Sequence, residues 1–536
     1  IGFPFDFKFD LKDITKDILE IKSIDKSYNS KLPLFSTLKN LEENFGYWVK
    51  CSKDTMLTIV NSNLEEEYDI VIVGSGPAGS MIGRALSEIK NKKILLLEKG
   101  SFKIKENYDE KYRNILNWSN AMNDPLNSHT LISENEKTIW LGRGLGGGTL
   151  HFGMQYIDQP DLYEHIPNLN NYIDLVNQLT KTERFDYQSD KDFLWHEIYN
   201  LFDNDDQIKF YNNKIYSNDL ENNKRFIASD LLENTNITIE TNSNVEKINF
   251  EKENAVSVNL KNKKIIKFKD LILAGGAIEN VKILNNSNNE ILKRLPIGET
   301  IYDHAGVNFY YLPNSNFNKY ISVGHLQVRS KDLKWQIYLS KVPNVPFLIV
   351  TIAQAKKEDN KGKVKFEGDK HKIDITYFTE KDTVKSMLDG YNYINNKLKV
   401  IGYSNIDPTE ITEEYILKSF DSIYHYHGTC PFGTVVDNSC KVLGTNNLYI
   451  GDISVLTESV PGSTSVSSML TGYRFSKIYL DKKILETEEE IIKIQKENED
   501  LKEKATEKLF TIEELRNLWQ KEKKMYVVIQ NDGTQV

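Results

Sequence analysis

Apolar residues are unevenly patterned along this chain, and their period changes several times. Residues 1–65 are polar and weakly patterned, which predicts an N-terminal extension packed on the body. Residues 70–73 then form an unbroken apolar run ending at Gly74, as a strand buried on both faces does. The spacing beyond it predicts a helix over 77–90 and a second apolar strand over 94–97 that closes at Glu98. Strand, turn, helix and strand within about 30 residues make a βαβ unit.

Between residues 224 and 310, short alternating strands (ITIETN, VEKINF, AVSVNL, KIIKF) lead into the apolar run LILAGGAIEN. Residues 320–378 alternate again, through ISVGHLQV, WQIYLS, FLIVTIAQA, KVKFEG and KIDITYF. That pattern predicts an antiparallel sheet with one face in water. A glycine-rich apolar block over 425–480 closes the body. Residues 486–510 are almost wholly charged, with Ile491, Ile494, Asn498, Leu501 and Ala505 at heptad spacing. Two heptads are too few for a coiled coil, so a solvated helix is expected there. Thr511 with Glu514 forms a capping box, and MYVVIQNDGTQV reads as a strand and a turn.

A chain of 536 residues is too long for one hydrophobic core, so at least two domains are expected. Its 39% hydrophobic and 11% aromatic content excludes a disordered chain. A net charge of −9 without a basic stripe argues against charge-driven nucleic-acid binding by a single chain. No run approaches the ~18 apolar residues of a membrane span, so no membrane partner is expected. Cys51, Cys430 and Cys440 cannot form a disulfide framework, which favours a reducing compartment. The opening IGFPFDFKFD has neither a methionine nor a basic-then-apolar leader, as expected of a processed or partial product.

The chemistry begins at Gly74-Ser75-Gly76-Pro77-Ala78-Gly79. Glycines here let the backbone turn tightly, approach a pyrophosphate and pack a helix on its strand, while the helix N-terminus supplies N–H donors. Glu98 lies 19 residues beyond Gly79, placed to accept from a ribose hydroxyl. With strand before and helix after, the triplet predicts a dinucleotide site. A second glycine-dense stretch, GRGLGGGTLHFGMQY over 142–156, lets the backbone run against a flat ring system and its diphosphate.

That second block resembles the signature of the glucose–methanol–choline oxidoreductase family. LILAGGAIEN resembles the family's second signature, and IGETIYDH over 297–304 its following loop. The stretches KGKVKFEGDKHKIDITYFTEKDTVKSMLDGYN and YHYHGTCPFGTVVDNSCKVLGTNNLYIGDISV resemble its substrate-domain and C-terminal blocks. The likeness spans roughly residues 66–482, and the substrate domain looks trimmed. It implies an α/β fold, with a Rossmann-type FAD-binding domain (66–159, 224–310 and 425–485) and an α+β substrate domain carrying an antiparallel sheet (160–223 and 311–424). Residues 486–536 would form a charged helical tail. It also implies FAD rather than NAD, contacted by Gly74, Gly76, Gly79, Glu98, Gly146, Val245 and Asp452, and no metal.

By the same resemblance His425, three residues before Gly428-Thr429-Cys430, is the base that takes the proton of a substrate alcohol while hydride passes to flavin N5. His427, two residues on, would line the pocket or fill space. Ser463, eleven residues after Asp452, stands where the family has asparagine or histidine, and Arg474 supports that count. A serine donates one hydrogen bond but is no base at neutral pH, a loss of about 100-fold or more in rate. His151 stands where some members carry a histidine bonded to the flavin 8-methyl carbon. Covalent attachment and a structural histidine both remain open. Two functions follow: an FAD-dependent alcohol oxidase or dehydrogenase, or a flavin-fold building block. The second draws on Ser463, the trimmed domain and an Asn/Lys/Ile-rich composition like that of giant amoebal viruses, whose relatives are particle components. It implies self-assembly or a homo-oligomer in a virus particle.

Overall fold

The computed structural model describes residues 67–89, 91–100, 128–151, 170–180, 224–313, 325–341, 345–355, 362–375, 381–407 and 410–506, with shorter stretches between 9 and 219. They divide into two units, Ile1–Ser476 and Lys477–Val536. The Thr511/Glu514 capping box and the C-terminal strand lie outside the described residues. Of the N-terminal extension, two small antiparallel sheets are described: Phe9–Asp10 with Asn40–Leu41, and Ile18–Lys22 between Ser27–Asn29 and Trp48–Cys51.

The first unit is organised by two large sheets. In one, β1 (Glu67–Val73) leads through α1 (Pro77–Leu86) to β2 (Ile94–Leu97), parallel to β1 with Ile70 opposite Ile94. Ile70, Val71 and Ile72 are wholly buried, each contributing about 1.5–3 kcal/mol of transfer free energy. Next come β3 (Thr238–Glu240), the antiparallel β4 (Val245–Glu251), β5 (Asn254–Leu260) and β6 (Ile265–Leu273), then α2 (Gly276–Asn286). The order is β3-β2-β1-β6-β5-β4, with the strand Leu448–Ile450 parallel to β6. This is the doubly wound, mixed α/β arrangement that the apolar runs predict. Helix α1 ends at Leu86, four residues short of the predicted limit, and its inner face packs on Val466, Met469 and Leu470.

The other large sheet is wholly antiparallel, built from β7 (Ala305–Leu312), β8 (His325–Ser330), β9 (Trp335–Lys341) and β10 (Leu348–Gln354) in the order β8-β9-β10-β7. The strand Ile208–Phe210 extends it beyond β8, and the pieces Ser404–Asn405 and Asp421–Ser422 pair with β7. Helix α3 (Lys381–Val400) packs on it through Tyr391 against Phe309. A wet face was expected here, yet every residue of β9 is buried. Two of its polar members, Tyr338 and Ser340, line a cavity instead of facing bulk water. The next two predicted strands form a separate hairpin, Lys363–Glu367 with Lys370–Asp374.

Helix α4 (Thr464–Thr506) begins in the first unit, where Val466, Met469, Leu470, Tyr473 and Phe475 are buried. In the second unit it continues over residues 477–506, which include most of the predicted charged helix. Among the described residues no helix is long and apolar enough to cross a membrane.

Candidate functional site

A cavity of ≈ 600 Å³ lies between the two sheets of the first unit, walled by the β1–α1 turn, the start of α2 and the cavity face of β7 and β9. The turn is built as the glycine spacing requires. Gly74 has φ +100°, and a Cβ on Gly79 would meet the Gly74 carbonyl oxygen at 1.9 Å. Gly79 therefore packs the helix against the turn and does not line the cavity. Gly146, with φ +101°, donates its N–H to the Ser75 carbonyl and likewise supports the wall from behind. By contrast, Gly76, Gly148 and Gly276 line the cavity, and a Cβ on any of them would meet nothing within 4 Å. Pro77 opens α1 with no side-chain cap beside this open strip. An uncapped helix N-terminus facing a side-chain-free cradle fits a flat, anionic dinucleotide.

Two carboxylates hold the cradle together. Glu98 is buried and accepts from the Ser75 N–H (3.1 Å), the Ser75 hydroxyl (2.6 Å), the Gly100 N–H (2.7 Å) and the Gly144 N–H (3.0 Å). It staples the first glycine turn to the second. Asp452 accepts from the N–H of Gly276 (2.7 Å), the Asn280 amide (2.8 Å) and both the N–H and hydroxyl of Ser454. Burial raises the Asp452 pKa above the ordinary carboxylate value. All four acceptor directions of each carboxylate are thus filled by the protein itself. Beside the ribose hydroxyl expected at Glu98, the structure shows its carboxylate joining the two glycine loops. Val245 lines the cavity at the start of β4, and His151 lines it just after the turn Gly147–Leu150, its N–H donating to the Gly148 carbonyl.

At the other end stands a cluster of histidines. His425 lines the cavity, and its Nδ1 is 2.8 Å from His304 Nδ1, the two rings nearly perpendicular. Its backbone N–H donates to Asp303 Oδ1 at 2.8 Å, and Ser422 donates to the other carboxylate oxygen. Burial, then the neighbouring His427 and the Arg329 charge, push the His425 pKa down to about 3, so its ring is neutral at neutral pH. Burial raises Asp303 to about 7. His427 does not line the cavity. It is buried against Tyr302, its Nδ1–H donating to the His425 carbonyl (2.7 Å) and its Nε2 accepting from the Val460 N–H (3.1 Å). With both nitrogens used, it fills space and shapes the strand. Ser463 lines the cavity with its hydroxyl 3.2 Å from that of Ser465.

The structure thus brings His425, Ser463, His151, Gly74, Gly76, Val245, Glu98 and Asp452 to one cavity and leaves Gly79, Gly146 and His427 behind its walls. The motif reading passed over Asp303 and His304, although both end the IGETIYDH stretch. It also missed Lys99, His129 and Glu279, a polar group at the β2 end of the cavity. Among the described residues no group of three or more His, Cys, Asp or Glu could hold a metal ion.

Residues 358–472 match the family model described as GMC oxidoreductase. An uncharacterized GMC-type oxidoreductase of Rhodococcus erythropolis is 22% identical over 504 residues, 78% of this chain and 99% of that protein. A putative truncated GMC-type inactive oxidoreductase of Acanthamoeba polyphaga mimivirus, R833, is 38% identical over 71 residues, 12% of this chain and 88% of that protein. Among solved structures, pyridoxine 4-oxidase from Mesorbium loti superposes with a TM-score of 0.66 at 17% identity, covering 77% of this chain and 99% of that one.

Proposed function

Because the chain belongs to the GMC oxidoreductase family, we propose that it holds one FAD in this cavity and oxidises an alcohol CH–OH group there. One observation carries the reading: the His425 ring faces the same cavity as the glycine cradle. FAD supplies the acceptor for the hydride that leaves the substrate carbon. The chain supplies the rest. Gly74, Gly76, Gly148 and Gly276 admit the pyrophosphate and the ring system, Val245 meets the adenine, and Glu98 and Asp452 brace the walls. We assign the flavin domain to 66–159, 224–310 and 425–485 and the substrate domain to 160–223 and 311–424.

His425 takes the hydroxyl proton at Nε2, which requires its Nδ1–H to be donated to His304 Nδ1. His304 must then carry its proton on Nε2, which is buried beside the Val460 backbone. The burial and positive charge that keep His425 neutral also make it a weak base. With Ser463 as the second group, slow turnover is expected. The second reading, a particle or assembly component with little activity, rests on Ser463 and on the mimivirus relative named inactive.

Anaerobic stopped-flow reduction of the flavin by a panel of alcohols separates the two. On the enzyme reading, at least one alcohol bleaches the flavin, and His425→Ala slows that step roughly 100- to 10,000-fold with flavin still bound. An unchanged rate in the variant removes His425 as the base. A parent inert to every alcohol favours the assembly reading, which electron microscopy for regular particles then tests.

A further inference from the structure

Lys99, His129 and Glu279 meet at the β2 end of the cavity, outside every motif discussed above. Lys99 Nζ lies 2.8 Å from Glu279 Oε1, and His129 Nε2 lies 3.0 Å from the same oxygen. Lys99 Nζ is also 3.3 Å from His129 Nδ1 and 3.2 Å from its Nε2. Neutral His129 donates through Nε2 to the carboxylate, and the ammonium rests against the ring's two nitrogens while also donating to the carboxylate. Burial lowers the His129 pKa, in keeping with the neutral ring. The group leaves two valences over. Among the described residues no donor bonds Glu279 Oε2, and one ammonium hydrogen of Lys99 is unassigned, while both residues line the cavity.

The position says what they face. Lys99 directly follows Glu98, the β2-terminal carboxylate where a Rossmann-type site receives the adenosine ribose. Glu98 already accepts four protein hydrogen bonds and Asp452 likewise, whereas Glu279 keeps an open oxygen. We propose that Glu279 and Lys99, held by His129, form an acceptor–donor clamp for the adenosine half of the dinucleotide. Glu279 Oε2 accepts from a ribose hydroxyl or the adenine amino group. This rests on the FAD reading and goes beyond it in assigning the adenosine grip to the start of α2.

The test is equilibrium binding of FAD and of FMN to the full-length chain prepared free of flavin, followed by flavin fluorescence. Glu279→Gln suits it because the amide oxygen can still accept from Lys99 and His129, while the cavity-facing oxygen becomes a donor. FAD binding should weaken about 10- to 100-fold, as for loss of a hydrogen bond to a charged group, with FMN binding unchanged. Lys99→Met should act in the same sense. An FAD analogue with hypoxanthine for adenine locates the donor. Equal affinity of parent and Glu279→Gln for it points to the amino group, and a retained difference points to the ribose. FAD affinity within twofold of the parent, or equal losses for FAD and FMN, overturns the clamp. A parent that binds no FAD overturns the FAD reading and the clamp with it.

Discussion

Glutamine at position 98 would place an NH₂ among four donors that now share one carboxylate. If the amide nitrogen takes the Oε1 place, the N–H groups of Gly100 and Gly144 both lose their acceptor. If it takes the Oε2 place, only the Ser75 N–H is orphaned, because the Ser75 hydroxyl can turn wholly to the Gly144 carbonyl, already 3.2 Å away. The second arrangement is cheaper. It costs about 1–3 kcal/mol for the buried unmade bond. Weakening of the remaining contacts from charged to neutral acceptors adds roughly 1 kcal/mol. The loss of about 2–4 kcal/mol falls on the joint between the two glycine turns, so it should appear as local opening. Amide hydrogen exchange in peptides covering residues 74–80 and 142–148 should speed up roughly 30- to 1,000-fold in Glu98→Gln, from about 1.4 kcal/mol per tenfold. Exchange within about threefold of the parent would refute the staple.

Gly76→Trp should fold and yet retain no flavin, because its side chain enters open cavity; full visible flavin absorbance in that variant would contradict the cradle. Gly79→Ala should instead lose folded protein, since its Cβ would sit 1.9 Å from the Gly74 carbonyl oxygen, and parent-like yield and melting would argue otherwise. If His151 tethers the flavin, acid-precipitated protein keeps its colour and the peptide containing His151 gains the mass of FAD; free FAD in the supernatant decides against the tether. The His425 pKa is depressed in the folded state, so its contribution to stability is complete above 6.5 and is lost as pH falls through about 3. Asp303, raised to about 7, runs the other way, contributing below 3.8 and losing that as pH rises through about 7. The unfolding free energy of the parent should therefore fall relative to His425→Asn between pH 6.5 and 3, and a pH-independent difference would falsify the assignment.

The βαβ unit was legible because its cues are local: a buried parallel strand is one apolar run, and the glycine triplet sits at its end. The antiparallel sheet was legible as strands, but not in its surroundings. Alternation in β9 looks the same whether its polar side meets bulk water or lines a cavity, and only tertiary structure tells them apart. The role of Glu98 was hidden for a similar reason, since three of its four donors are backbone N–H groups that no side-chain pattern reveals. His129 and Glu279 stand 150 positions apart and share no motif. His304 could have been found, because it ends a stretch already singled out. The placement of His427 could not, because it is set by the Tyr302 ring and the Val460 N–H, contacts distant in sequence.

The central claim is that this cavity holds FAD, and the most direct measurement is the flavin content of the purified full-length chain after incubation with FAD and removal of the excess. The account predicts a yellow protein carrying one FAD per chain, identified by mass after denaturation or on the His151 peptide. A colourless protein that takes up no FAD, while its hydrogen exchange shows the β1–α1 turn folded, would contradict it.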